Sequence, residues 1–167
     1  DDEKGDLIFK TNDGSDGSSP TERMRIDSNG SILTATLGTD NVHLGEGAGD
    51  SIASGGNNNV AIGKDAGTAI TTGDQNTVIG SLAGDALTTG SENVAVGAFA
   101  LDANTTASNN TAIGYVALSA NTTGANNAAL GPDTLKTNTT GNHNVAIGLN
   151  ALETNNADNN IAIGVDC

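Results

Sequence analysis

The chain has 167 residues and a formal net charge of −14, from 20 acidic and only 6 basic side chains, and aromatic residues make up 2% of it. It therefore has neither the basic surface that attracts phosphates nor the aromatic platform on which bases stack, and no nucleic-acid binding is predicted. No apolar run approaches the ~20 residues of a membrane span, and no apolar segment follows a basic start, so neither membrane insertion nor a signal peptide is predicted.

The first 40 residues form an N-terminal connector or capping segment of short strands. Residues 6–10 (DLIFK) and 22–26 (ERMRI) alternate as strands do, and 26–32 (IDSNGSI) is typical of a hairpin turn. The linker 11–20 (TNDGSDGSSP) is interpreted as a surface loop, because it lacks the register and the distant Glu of a calcium loop. The segment is expected to cap the first coil of the region that follows.

Residues 41–167 repeat one short phrase eight times: an Asn, three small or aliphatic residues, and a Gly. The repeat glycines are 17 residues apart in five consecutive steps from Gly63 to Gly148, after one step of 18 and before one of 16. A fixed period of this length indicates a solenoid, in which each unit buries its apolar face against its neighbours. Seven of the copies supply the structural repeat residues Asn59, Ile62, Gly63, Asn76, Ile79, Gly80, Asn93, Val96, Gly97, Asn110, Ile113, Gly114, Asn127, Leu130, Gly131, Asn144, Ile147, Gly148, Asn160, Ile163 and Gly164.

Within the phrase, the first and third residues before the glycine are mostly aliphatic or β-branched, and a small residue lies between them. His43 and Val78 are the two exceptions at this middle position, which is otherwise Ala. Positions two apart share one face of a strand. We therefore predict that the aliphatic face, including Ile113, points into the coil, and that the Ala face packs against a second layer.

The rest of each unit predicts a core of constant volume. The third residue after the glycine is small in every copy. Where the fourth is Gly, the seventh is Ile or Leu; where the fourth is Leu, the seventh is Asn. One large apolar group per unit is thus retained, as close packing requires.

Turn sequences such as Thr-Thr-Gly complete the unit, which is predicted to run strand, turn, strand, turn. A coil of ~17 residues wound in this way is one turn of a parallel β-solenoid, with ~4.8 Å between coils. The recurring Asn is predicted to stack as an amide ladder that satisfies turn carbonyls. The region is all-β, and a single column is predicted to be marginal in stability and to assemble as a homotrimer.

The phrases NVAIG, NTAIG and NIAIG with the AL-x-x-NTT-G connection resemble the YadA-type heads of trimeric autotransporter adhesins and the repeat-rich tail fibres of bacteriophages. ERMRIDSNG resembles the stretch that precedes such repeats in phage fibres. The resemblance implies a left-handed parallel β-roll, three chains side by side, in a surface-exposed fibre that attaches to a host receptor or glycan. It favours a structural and host-attachment segment of a virion tail fibre; the alternative is the head of a bacterial cell-surface adhesin.

No catalytic, metal or cofactor site is predicted. His43 and His143 are interpreted as structural, since they lie about six coils apart. Cys167 is expected to pack as a small apolar residue. The acids could in principle form a glycosidase pair, but no aromatic sugar platform accompanies them; they are Asp50, Asp65, Asp74, Asp85, Glu92, Asp102, Asp133, Glu153 and Asp158. The three Asn-Thr-Thr sequons, at Asn104, Asn121 and Asn138, arise from the repeat itself.

Overall fold

A computed structural model gives the fold of the chain. It describes residues 7–11, 21–26, 32–34, 40–52 and 55–167. They belong to two compact units, 1–36 and 37–167.

The first unit is a three-stranded antiparallel sheet in the order β1-β2-β3, with β1 Leu7–Thr11, β2 Thr21–Ile26 and β3 Ile32–Thr34. Ile26 pairs with Ile32, as the predicted hairpin requires. Three predicted features lie outside the described residues. They are the hairpin turn predicted at 27–31, the linker at 12–20, which was interpreted as a surface loop and not as a calcium loop, and residues 35–39 before the first coil.

The second unit is a parallel β-solenoid of about seven turns, so the predicted fold class is confirmed at that level. Each coil contributes one three-residue strand, and the eight strands form a single parallel sheet in chain order. The strands are β4 Val42–Leu44, β5 Val60–Ile62, β6 Thr77–Ile79, β7 Val94–Val96, β8 Thr111–Ile113, β9 Ala128–Leu130, β10 Val145–Ile147 and β11 Ile161–Ile163.

Strands of neighbouring coils are hydrogen-bonded so that residues at equivalent positions of the repeat pair with each other. Ala95 pairs with Ala112, and Ala112 with Ala129. The Val94 N–H donates to the Asn110 carbonyl and the Gly97 N–H to the Ile79 carbonyl, each at 2.8 Å. In the described residues 40–52 and 55–167, the second strand predicted for each coil is not formed. Turns close the coil instead, although their amides also bond from coil to coil.

The predicted orientation of the strands is wrong. The middle residues, such as Ala95 and Ala112, are fully buried inside the coil, whereas the Ile113 side chain points outward and is 40% exposed. The interior is too narrow for two rows of large side chains, because a leucine such as Leu118 already fills it from the other side. The Ala face is therefore the core, and the aliphatic face is the surface.

The prediction that each coil keeps one large apolar side chain in the core, at either of two positions, is confirmed. Ile70, Leu87, Leu101 and Leu118 are all fully buried, although they occupy two different positions of the repeat. A Cβ on Gly84 would lie 2.9 Å from a Val78 methyl carbon. The fourth position after the repeat glycine therefore faces the middle of the strand, and a larger strand residue requires a glycine opposite it.

The repeat glycine is required by the close approach of successive coils. Gly97 has φ +130°, and a Cβ there would lie 2.5 Å from the Gly114 carbonyl oxygen. An L-residue would meet both a steric clash and an unfavourable backbone conformation. This explains why no other residue occupies the last place in the phrase.

Candidate functional site

The outward side of the eight-stranded sheet, which we call the outer face, is uncharged along its whole length. It consists of the first and third residue of each strand, so every coil adds two side chains to it. They are Val42, Leu44, Val60, Ile62, Thr77, Ile79, Val94, Val96, Thr111, Ile113, Ala128, Leu130, Val145, Ile147, Ile161 and Ile163.

This face is only partly covered by the rest of the chain. Leu44 is 66% exposed, and Ile113 and Ile147 are 40% and 37% exposed. A large exposed patch of mostly apolar side chains marks a place of contact with another molecule. The outer face is therefore the candidate contact site of the coil region, and the expectation that the Ala face would be in contact is corrected: the Ala side chains are buried inside the coil.

Two exposed aromatic rings lie beside the outer face. Tyr115 follows a repeat glycine directly and is 56% exposed, and Phe99 is one coil earlier. Their ring centroids are 6.2 Å apart with planes at 89°, an edge-to-face pair. Neither ring was predicted from the sequence as part of a site.

Inside the coil, the repeated asparagines form the predicted amide ladder. The Asn110 N–H donates to the Asn93 Oδ1 at 3.0 Å, and the Asn127 N–H and Nδ2 donate to the Asn110 Oδ1 at 3.0 and 3.1 Å. The Asn110 Nδ2 donates to the Gly124 carbonyl, one coil further on, at 2.9 Å. Each asparagine therefore joins three successive coils.

A second, shorter ladder contains the three sequon asparagines. Asn104, Asn121 and Asn138 are fully buried, and the Nδ2 atoms of Asn121 and Asn138 each donate to the Oδ1 of the preceding member. The side chains that a glycosyl transfer would need are inaccessible in the folded coil. This fits the interpretation that the sequons follow from the repeat.

The acidic residues lie at several corners of the coil. Asp85 and Asp102 occupy the same position on adjacent coils, and one Asp102 carboxylate oxygen is buried without a hydrogen-bond partner. Burial raises the pKa of both carboxyls, and for Asp102 the charge of Asp85 adds to this. The pKa of Asp158 is lowered instead, because its carboxylate accepts the Asn142 backbone N–H at 2.7 Å.

The two histidines lie in unlike settings. His43 takes the middle position of its strand, where a Cβ on Gly49 would lie 2.6 Å from its Nε2, and burial lowers its pKa. His143 is an exposed turn residue with φ +57°. The structure does not bring them together.

Cys167 is exposed, in contrast to the expected packing. Within the described segments, no three His, Cys, Asp or Glu side chains are grouped so as to hold a metal ion. Nor do these segments include a helix with the length and apolarity to cross a membrane. In comparisons with known proteins, no family model, no curated protein and no solved structure matches the chain.

Proposed function

We propose that this chain is a structural and host-attachment segment of a phage tail fibre, a left-handed solenoid in which three copies lie side by side. The observation that carries the proposal is the uncharged outer face, which continues through all eight strands. The resemblance of the repeat phrases supplies the class of protein.

The outer face is best covered by a partner whose contacts recur at the same interval. Its side chains recur once per coil, at ~4.8 Å along the axis. A partner that covers every coil equally well must carry matching contacts at the same interval, and a second copy of this chain does so. Each aliphatic side chain that becomes fully buried contributes about 1.5–3 kcal/mol, so the stabilisation accumulates with length.

The charged residues of the coil region are mostly acidic. Residues 41–167 carry eleven acidic side chains and two lysines. Such a surface is solvated and resists non-specific association, which suits an exposed fibre. The turns are left to meet a receptor or glycan on the host.

Assembly is tested with Ile113→Asp. On an outer face that is buried between copies, the new carboxylate loses its hydration without gaining a partner, and association weakens by several kcal/mol. We expect sedimentation equilibrium to show a trimer for the unchanged chain and a monomer for Ile113→Asp, with the same circular dichroism. Thr123→Asp, on an exposed turn, is the matched control and stays trimeric.

Attachment is tested with intact bacterial cells from a panel of strains. We expect the fluorescently labelled trimer to bind some strains saturably, and excess unlabelled trimer to displace it. Heat-unfolded protein is the control for non-specific adhesion. Absence of saturable binding to every strain would contradict the attachment role while leaving the assembly untouched.

A further inference from the structure

Copies joined only through the outer face could slide past one another. In each coil the first side chain of the outer face is Val, Thr, Ala or Ile and the second is Ile, Leu or Val, so a shift by one coil, ~4.8 Å, keeps every contact uncharged and loses only those at the ends. Register is weakly specified wherever a pattern repeats uniformly. A fibre with a defined length and a defined tip therefore needs a contact that does not repeat.

One column beside the outer face has this property. We call it the corner column; it consists of the second residue after each repeat glycine: Gly47, Asp65, Leu82, Phe99, Val116, Asp133, Asn150 and Asp166. All eight have positive φ, between 53° and 70°. Five of them are Gly, Asp or Asn, the residues that tolerate this conformation best.

The three central coils depart from this rule. Leu82, Phe99 and Val116 hold φ values of 58°, 58° and 59°, which cost an L-residue with a bulky side chain roughly 1–2 kcal/mol each. Burial in the core does not offset this, because all three side chains remain at least partly exposed. Other positions of the coil also have positive φ, among them exposed Glu92 and buried Leu118, so the three residues are distinguished by their partly exposed apolar side chains and not by their backbone. Apolar side chains that lie together at the surface indicate contact with another molecule.

The acidic residue on each side of the three apolar positions of the column is paired with a lysine. Lys64 forms an ion pair with Asp65, and the Lys136 Nζ lies 2.9 Å from the Asp133 Oδ1. These are the only two lysines among residues 41–167, against eleven acidic side chains, and both neutralise this one column. A strongly acidic partner can therefore approach this column without the repulsion that it meets elsewhere, and a second copy of the chain is such a partner.

We propose that the corner columns of neighbouring copies pack against each other between Lys64 and Lys136 and thereby set the axial register of the fibre. The inference rests on the side-by-side assembly proposed above. In register, the three apolar residues of one copy meet those of the next. A slip by one coil would place Asp65 or Asp133 against an apolar side chain, at the cost of desolvating a charge.

The test replaces the three apolar residues together: Leu82→Asn, Phe99→Asn and Val116→Asn. Asn is accepted at this backbone conformation, so each single coil should fold at least as well as before. Register is measured by electron–electron double resonance, with a nitroxide on Thr106→Cys in a Cys167→Ser background. We expect one narrow distance population between copies for the unchanged column, and several populations for the triple variant, reflecting slips in steps of ~4.8 Å along the axis.

The matched control carries Thr72→Asn, Thr89→Asn and Thr123→Asn, which lie on exposed turns away from the strands, and it keeps the single population. If the chain with no substitution is monomeric in sedimentation, the proposed assembly and this inference both fail. If it is trimeric and the triple variant keeps one narrow distance, only the register inference fails. Should the triple variant not fold, the double variant Lys64→Gln and Lys136→Gln tests the inference instead. Loss of both lysines is expected to broaden the distance population. An unchanged population overturns the inference.

Discussion

Asn110 shows what one buried side chain contributes to the stacking of coils. Its amide accepts two hydrogen bonds from Asn127 and donates one to the Gly124 carbonyl. Asn110→Asp replaces the donor by an oxygen and buries a charge or a proton. We expect a loss of about 3–5 kcal/mol in the free energy of unfolding, measured by denaturant titration, because an unpaired buried charge carries a penalty of this size.

The adjacent residue supplies the control. Asn109 is exposed, and its φ of 63° is tolerated by Asp as well as by Asn. Asn109→Asp should therefore change stability by less than about 0.5 kcal/mol. Equal stability of the Asn109 and Asn110 variants would show that the ladder contributes nothing.

The coil between Gly148 and Gly164 is one residue shorter than the others, and the Asn156 side chain supplies the hydrogen-bond acceptor that a main-chain carbonyl supplies elsewhere. In a full coil, the Thr122 and Thr123 N–H groups both donate to the Thr139 carbonyl. Where the next coil is the shortened one, the Thr139 and Thr140 N–H groups both donate to the Oδ1 of Asn156 in that coil, each at 2.9 Å. A side-chain carbonyl thus replaces a main-chain one.

We expect Asn156→Ala to destabilise this end of the solenoid by about 1–3 kcal/mol, since two amides lose their acceptor. Hydrogen exchange should accelerate at the Thr139 and Thr140 amides, while Thr154→Ala, an exposed change in the same coil, leaves both rates unaltered. Unchanged exchange in Asn156→Ala would show that water replaces the side chain without cost.

At the scale of the element, adjacent coils bring like charges together. The Ala86 N–H donates to the Asp102 carbonyl at 3.1 Å, so Asp85 and Asp102 stand side by side, with Thr68 at the same position one coil earlier and Ser119 one coil later. The charge of Asp65, elsewhere on the preceding coil, also raises the pKa of Asp85. The raised pKa values mean that the folded coil holds protons more tightly than the unfolded chain. The ionised carboxylates of Asp85 and Asp102 therefore destabilise the folded coil at pH values above their raised pKa values. This destabilisation is relieved as the pH falls through those pKa values.

We expect Asp102→Asn to raise the melting temperature at pH 7, and this gain to shrink as the pH is lowered towards 4. Asp158→Asn is the control of opposite sign, because the lowered pKa of Asp158 reflects a stabilising bond from Asn142 that is present at neutral pH. It should lower the melting temperature at pH 7. The same pH response in both variants would attribute the effect to net charge alone.

The existence, spacing and pairing of the coil strands could be predicted from the sequence, because equivalent residues recur at a fixed interval. Their orientation could not. A period of two identifies two faces without saying which is inside, and the usual rule assigns the larger side chains to the core. Here the coil is thin, Leu118 fills it from the opposite side, and Ile113 is left outside.

The corner column was not predicted from the sequence, for a related reason. The repeat pattern does not show which positions have positive φ, so Phe99 and Val116 do not stand out among the residues that follow the repeat glycine. Their signal is the departure from the column, three large apolar residues where the other coils use residues suited to positive φ.

At the scale of the whole molecule, the coils are interchangeable units. Deleting Ala98–Gly114, which is 17 residues, rejoins Gly97 to Tyr115 with every strand position in place. We expect the variant to fold with unchanged circular dichroism per residue and to be ~4.8 Å shorter by small-angle scattering. Contacts in a solenoid are limited to neighbouring units, so no distant packing is lost.

A deletion out of phase is the control. Removing Ala98–Thr105 takes away eight residues, so turn residues meet strand positions of the coils above and below. This variant should melt at a much lower temperature or fail to fold. Equal melting of the two deletions would contradict a 17-residue coil.

The constant coil length also bears on how such a gene can change. Exchange between equivalent codons of two repeats adds or removes a whole coil and leaves every other coil in phase, so the length of the rod can vary among descendants without a new fold. Loss of a single codon is a different event, because it leaves two backbone amides without an acceptor. The 16-residue step shows the condition under which such a loss persists, namely that a side chain such as that of Asn156 takes over from the lost peptide group.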